Sequence, residues 1–196
     1  MPHLVILYSG NLDARTDMTA RRTIEARLQY LQDHDGLTRL HSRSFYNEQL
    51  RHLGDVGSGL VTVIVVDLNG LKSAHDQRGH AEGDKMLRRT GDVLAGAVAA
   101  RWLVARTGGD EFVILMAGAD EGQGVRLMAQ IQAGVTAANE AWAGLPLSLS
   151  LGAATRQAEE PLELMVNRAD AHMYEAKRQH YAHDPRGHSG LLRHMT

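Results

Sequence analysis

The chain contains no cysteine. That excludes disulfide staples, zinc–thiolate centres and thiol catalysis, and it fits a reducing compartment. No sign of charge dominates either: 21 Lys and Arg stand against 23 Asp and Glu, a net charge of -2 at pH 7. A broad nucleic-acid or anionic-membrane surface needs a basic excess, so any phosphate chemistry has to rest on a local site. There is no hydrophobic run near the roughly 20 residues that a membrane span takes. The longest, "LVTVIVV" at 60–66, suits a strand. The start, "MPHLVILYSG", lacks the charged region and the length of a secretory signal. These absences describe a soluble, cytoplasmic protein with no nucleic-acid or membrane partner. What is present is ordinary for a globular protein: 196 residues, 43% hydrophobic and 22% charged, enough for one domain plus an extension.

Residues 1–15 follow no clear pattern, although "HLVILYSG" suits a short strand. From 16 to 32, Ile24, Leu28 and Leu31 form one apolar stripe at helical spacing, with Thr16 or Asp17 available as N-cap. Such a stripe either packs on its own domain or pairs two chains as a short coiled coil. "HDGLTRLHSR" leads into a second helix at about 42–53, and "GDVGSG" breaks the chain before a strand at 60–67. A helix is predicted over 82–100, with Met86, Leu87, Val93, Leu94, Ala97 and Val98 on one side. Strands follow at 102–106 and 111–117, then a helix at 121–141, a strand at 146–154 and a helix at 161–179. The polar tail from Tyr181 is predicted to be mobile. This order predicts an α+β fold: a split βαβ sheet, antiparallel at the hairpin, with helices on one face. Residues 1–32 form the extension, 33–180 the domain and 181–196 the tail.

The hairpin tip, "RTGGDEF" at 106–112, carries more than a turn requires. Gly108 and Gly109 suit a two-residue primed turn, where φ is positive; lacking β-carbons, they also let a phosphate or base approach the backbone. Asp110 and Glu111 are surplus to the turn. Asp67 ends the apolar strand, and if the two strands are neighbours three carboxylates converge. Like charges at one sheet edge are tolerable mainly with a divalent cation between them, and an oxygen donor set points to magnesium or manganese. Asp67 alone is more simply a turn cap. Lys72 and Lys177 are candidate phosphate clamps, though each taken singly reads as a solvated lysine. Asp84 is by default a helix-start acid, and the scattered histidines read as solvated.

With these residues in view, the sequence resembles the GGDEF family of diguanylate cyclases over about residues 33–180. "DGLTRLHSR" is similar to the family's D-x-L-T-G-L-x-N-R, and "DLNGLKSAHDQRGHAEGD" to its long D-[ILV]-[DN] motif. "ARTGGDEF", "LSLSLGAA" and "RADAHMYEAK" match the signature hairpin, a late strand and the last helix, in order. The resemblance implies a nucleotidyl-cyclase-like fold, a sheet surrounded by helices and preceded by an N-terminal helix. It implies condensation of two GTP into cyclic di-GMP across a homodimer. Asp67, the Leu68 carbonyl, Asp110 and Glu111 would take the metals; Asp110 and Glu111 would help deprotonate the attacking hydroxyl. His75, His80 and Asp84, with Gly108 and Gly109, would receive the nucleoside, and Lys72 and Lys177 the phosphates.

Three departures stand out. His75 replaces the Asn that reads guanine in the family, and His180 and Tyr181 stand where it has Gly and a phosphate-binding Arg. Losing one neutral and one charged hydrogen bond costs about 2–4.5 kcal/mol, on the order of 30- to 2,000-fold in binding. Finally, the outer positions of the family's R-x-x-D product site are Ala99 and Trp102. An active enzyme without that feedback is expected. The alternatives are a degenerate module that binds GTP or a protein partner and regulates, and an enzyme with altered nucleotide choice. Control is expected either from a separate sensory or regulatory protein or from the rest of a longer chain of which this is a fragment.

Overall fold

In a computed structural model, which describes residues 9–56 and 59–183, every residue of the first strand is buried. That strand, β1 (Val61–Leu68), is the apolar run identified above, and it lies inside a sheet of order β2-β3-β1-β4. The other strands are β2 (Leu103–Arg106), β3 (Glu111–Ala117) and β4 (Leu149–Thr155), and all pairings are antiparallel. The helices are α1 (Ser9–Asp33), α2 (Arg43–Val56), α3 (Leu71–Arg78), α4 (His80–Ala97), α5 (Glu121–Glu140) and α6 (Leu162–His183).

Side chains alternate across a strand, and here both faces are covered. Ile64, Val66, Leu68, Phe112, Ile114 and Met116 pack with Leu87, Leu94, Leu127 and Ile131 of α4 and α5. Val63, Val65, Val113 and Leu115 pack with Tyr46 of α2 and Leu162, Met165 and Met173 of α6. The expectation of helices on one face is thus corrected, while the α+β sheet surrounded by helices stands. At Gly152 strand β4 and helix α6 come close. A Cβ there would lie 2.1 Å from the Met173 nitrogen and 2.2 Å from the Ala169 oxygen.

Both rims of the sheet carry polar ties. On the β2 side the His41 N–H donates to the Val104 carbonyl and the Arg106 N–H to the His41 carbonyl. On the β4 side, side chains meet the carbonyls. Gln132 reaches Leu149, His172 reaches Ala153, and Arg168 reaches Thr155.

Several boundaries move. The first helix is continuous from Ser9 through Thr16 and Asp17, so neither residue caps it. Only residues 9 and 10 of the expected "HLVILYSG" strand are described, and they are helical; the rest of it lies outside the described residues. Strand β4 begins at Leu149 because Leu147 exchanges both backbone bonds with the Asn139 side chain, at 2.7 and 2.8 Å. Helix α6 runs through Tyr181 to His183, and residues 184–196 of the expected tail lie outside those described. Helix α3 is an addition, separated from α4 by Gly79 at φ 83°. No helix among the described residues is long and apolar enough to cross a membrane.

Candidate active site

Strand β1 delivers Asp67 to the sheet end opposite Glu111, its register partner on β3, and the Leu68 N–H donates to the Asp110 carbonyl at 2.9 Å. Asp67 is buried, at 3% exposure. Its Oδ2 accepts from Lys177 Nζ at 2.6 Å, and its Oδ1 is buried with no hydrogen-bond partner. Burial pushes this carboxyl above the usual range; Lys177 opposes the rise, and the like charges of Asp110 and Glu111 add to it. Burial pulls the Lys177 ammonium down, but Asp67, with Asp110 and Tyr181, outweighs it and holds the group above its usual range. Lys177, expected on phosphate, is here the partner of Asp67.

The carboxylates share one sheet end without closing around a common point. Among the described residues no three His, Cys, Asp or Glu side chains gather closely enough to hold a metal. What fits a hard cation is the Asp67 Oδ1, an acceptor buried without a donor.

The hairpin tip differs from the expected primed turn. Residues 107–110 separate the strands, and neither Gly108 nor Gly109 has a positive φ. The Thr107 and Gly108 N–H groups both donate to the Glu111 carbonyl, at 3.0 and 3.3 Å. Small size matters at Gly108, where a Cβ would stand 2.7 Å from Glu111 Oε2. At Gly109 nothing lies within 4 Å of that position, which leaves open space beside the backbone. Asp110 is half-buried and Glu111 exposed.

Helices α3 and α4 form a second group. The rings of His75 and His80 lie 4.6 Å apart. His75 Nε2 is buried, without a partner, and a Cβ on Gly83 would come within 2.0 Å of it. Gly83 therefore makes room for the His75 ring. Asp84 is half-buried on α4, one turn beyond His80, and Lys72 is exposed on the first turn of α3.

Two polar ties had no assigned role in the sequence. Asn69 is buried beside Asp67, donates to Ser148 Oγ at 3.1 Å and accepts from Ser150 Oγ at 3.1 Å. The alternate serines of "LSLSL" were the available signal. Arg106 spans from Asp35, at 3.2 Å, to the Gly109 carbonyl, at 2.8 Å, while Thr38 binds the same carboxylate through N and Oγ1 at 2.8 Å. Burial raises the Asp35 carboxyl, but these bonds outweigh it and hold the group below its usual range.

The sequence profile described as "Diguanylate cyclase, GGDEF domain" matches residues 32–183. The chain belongs to the GGDEF family. Its GGDEF domain is 31% identical over 146 residues to the diguanylate cyclase DgcS of Shewanella oneidensis, covering 73% of this chain and 49% of that protein. The chain spans only 14–16% of the first curated relatives it matches. Among solved structures, the coiled coil and GGDEF domain of DgcB from Caulobacter crescentus, in complex with c-di-GMP, aligns with a TM-score of 0.79 at 23% identity. That alignment covers 87% of this chain and 94% of the other. SiaD from Pseudomonas aeruginosa, a diguanylate cyclase solved with its activator SiaC, aligns with a TM-score of 0.71 at 23% identity, over 87% and 67%. At such identities the likeness carries the fold.

Proposed function

We propose that this GGDEF domain condenses two GTP into cyclic di-GMP and two pyrophosphates, one GTP being held by each of two copies in the cytoplasm. The observation that supports it most is Asp67 Oδ1, buried without a donor beside the signature turn. An unmet buried acceptor is costly unless a cation or donor meets it when the site is in use. Magnesium or manganese suits the oxygen donors Asp67, Leu68 carbonyl, Asp110 and Glu111. When bound, such an ion neutralises charge in an in-line phosphoryl displacement.

The chain's own groups have separable tasks. Asp110, with Glu111 beside it, takes up the proton of the attacking 3′-hydroxyl. Lys72 and, on leaving Asp67, Lys177 neutralise phosphate oxygens. His75, His80 and Asp84 hold the nucleoside, and the open side of Gly109 admits it. Orientation does most of the rest. Two copies meet through α1, whose Ile24, Leu28 and Leu31 are 60%, 61% and 52% exposed. Control passes through a separate regulatory protein, as the SiaD–SiaC complex suggests by analogy. With Ala99 and Trp102 at the product-site positions, cyclic di-GMP titrated against rate gives no tight noncompetitive inhibition; finding such inhibition contradicts this.

A second assignment, a regulatory module that binds GTP or a protein without turnover, is favoured by the buried, unpartnered Nε2 of His75 and by Tyr181. The deciding experiment incubates the protein with GTP and magnesium, separates the nucleotides by chromatography, and includes Asp110→Ala. Cyclic di-GMP that disappears in the variant supports the cyclase. A folded protein that binds GTP and forms no product supports the module.

A further inference from the structure

The joint between α1 and the rest of the chain is built of rings. Tyr30 and His34 stack with centroids 4.0 Å apart and planes 13° from parallel. His34 meets His41 at 4.7 Å, and His41 stacks on Phe45 at 4.2 Å and 12°. The column runs from the last turn of α1, across the connecting turn, to α2. At His41 it is also sewn to the sheet. The His41 N–H donates to Val104 at 3.1 Å, and its carbonyl accepts from the Arg106 N–H at 2.9 Å. Arg106 in turn holds Asp35 and the Gly109 carbonyl. One residue thus belongs both to the ring column and to the backbone hold on the hairpin.

His41 also has a polar atom unmet: its Nδ1 is buried without a partner. Burial, followed by the nearby His34, disfavours a proton on the ring. The Asp33 carbonyl and carboxylate favour one, and the balance lies below the usual imidazole range. The titratable and charged groups that reach it are Asp33 and His34, at the exit of α1, and Arg106 of β2, whose N–H binds its carbonyl and whose side chain holds Asp35 in the turn. The carboxylate of Asp35 is already taken by Thr38 and Arg106.

We propose that the Tyr30–His34–His41–Phe45 column is a proton-sensitive joint, tight while His41 is neutral and loosened when a proton reaches that ring in mildly acidic solution. The folded chain binds this proton less readily than the unfolded one. The column's contribution to stability is therefore complete above the ordinary imidazole value of 6.5 and is lost as pH falls below it, through the folded value. Loosening frees His41 from β2 and slackens Arg106, so α1 and the signature turn respond together. The inference rests on ring geometry and backbone bonds, not on the cyclase assignment.

The test is amide hydrogen exchange by NMR across a pH series from about 7.5 to about 5.5, corrected for intrinsic rates, with the His41 ring titrated in the same samples. The expected result is a loss of about tenfold in protection at Arg106 and His41, with Ile64 in β1 unchanged and the His41 ring titrating below the ordinary value. His41→Phe keeps a ring in the column without a titrating nitrogen, and it should abolish that loss. Equal losses in wild type and His41→Phe, or no loss in the wild type, overturn the proposal. Should the variant not fold, the wild type decides: coincident midpoints for ring and amides support the joint, and separate midpoints overturn it.

Discussion

Replacing Lys177 with Met isolates the ion pair at the end of β1. Methionine keeps most of the side chain's length and removes its charge. Asp67, 3% exposed and already missing a donor at Oδ1, then has both oxygens buried and unmet. Removing one partner of a buried pair costs about 3–5 kcal/mol. The Lys177 side chain is 21% exposed, which places this case near 3. For a chain of this size that is about 6–12 °C in Tm. The loss should also depend on pH. In the wild type Lys177 holds down a carboxyl that burial, Asp110 and Glu111 push up; without it the carboxyl climbs further. A carboxyl raised in the folded state contributes stability below the ordinary carboxylate range and loses it as pH rises through the folded value. Urea unfolding of Lys177→Met should therefore show a deficit that is largest at neutral pH and shrinks on acidification. Adding Asp67→Asn should remove that pH dependence. A deficit under about 1 kcal/mol that is independent of pH would mean that Asp67 and Lys177 are not paired in a buried site.

Gly152→Ala places a carbon 2.1 Å from the Met173 nitrogen, against backbone rather than a movable side chain. It should cost at least the roughly 1–3 kcal/mol of an overpacked core, read by thermal melting. Tyr46 has a buried hydroxyl without a partner, and burial pushes its pKa up to about 12. Tyr46→Phe should be neutral or stabilising by about 1 kcal/mol. In the wild type the stability held below the ordinary tyrosine value falls as pH rises toward about 12, as ultraviolet titration of the phenolate would register. Deleting residues 9–32 removes the Ile24, Leu28 and Leu31 stripe, and sedimentation should then find the chain monomeric where the full chain dimerises.

Much of the fold was written in local pattern. The strand at 60–67 was legible because Val and Ile fill 61–66 with only Thr62 between them, and its burial on both faces was written in the same run. A strand covered on one side alternates, so the one-face expectation overlooked a signal that was there. Helix α3 hid because only Leu71 and Ala74 of its eight residues are buried, too few to make a stripe. In the site, the neighbourhood of Asp67 with Asp110 and Glu111 followed from strand adjacency. The partner of Asp67 lies 110 residues away, and Arg106 lies 71 from Asp35, so neither tie has a local signature. The turn at Gly108 was misjudged for another reason: two adjacent glycines suggest positive φ, whereas at Gly108 it is the Glu111 side chain that needs the space.

The polar ties along the rims of the sheet bear on how copies of this chain meet. An open strand edge is a template for another strand and, at high concentration, a route to aggregation. Here Gln132, His172 and Arg168 plug carbonyls along β4, and His41 lies along β2. Growth of the sheet from one molecule into the next is hindered at both rims. Self-association is left to the helical surfaces, where it can be reversed without unzipping backbone.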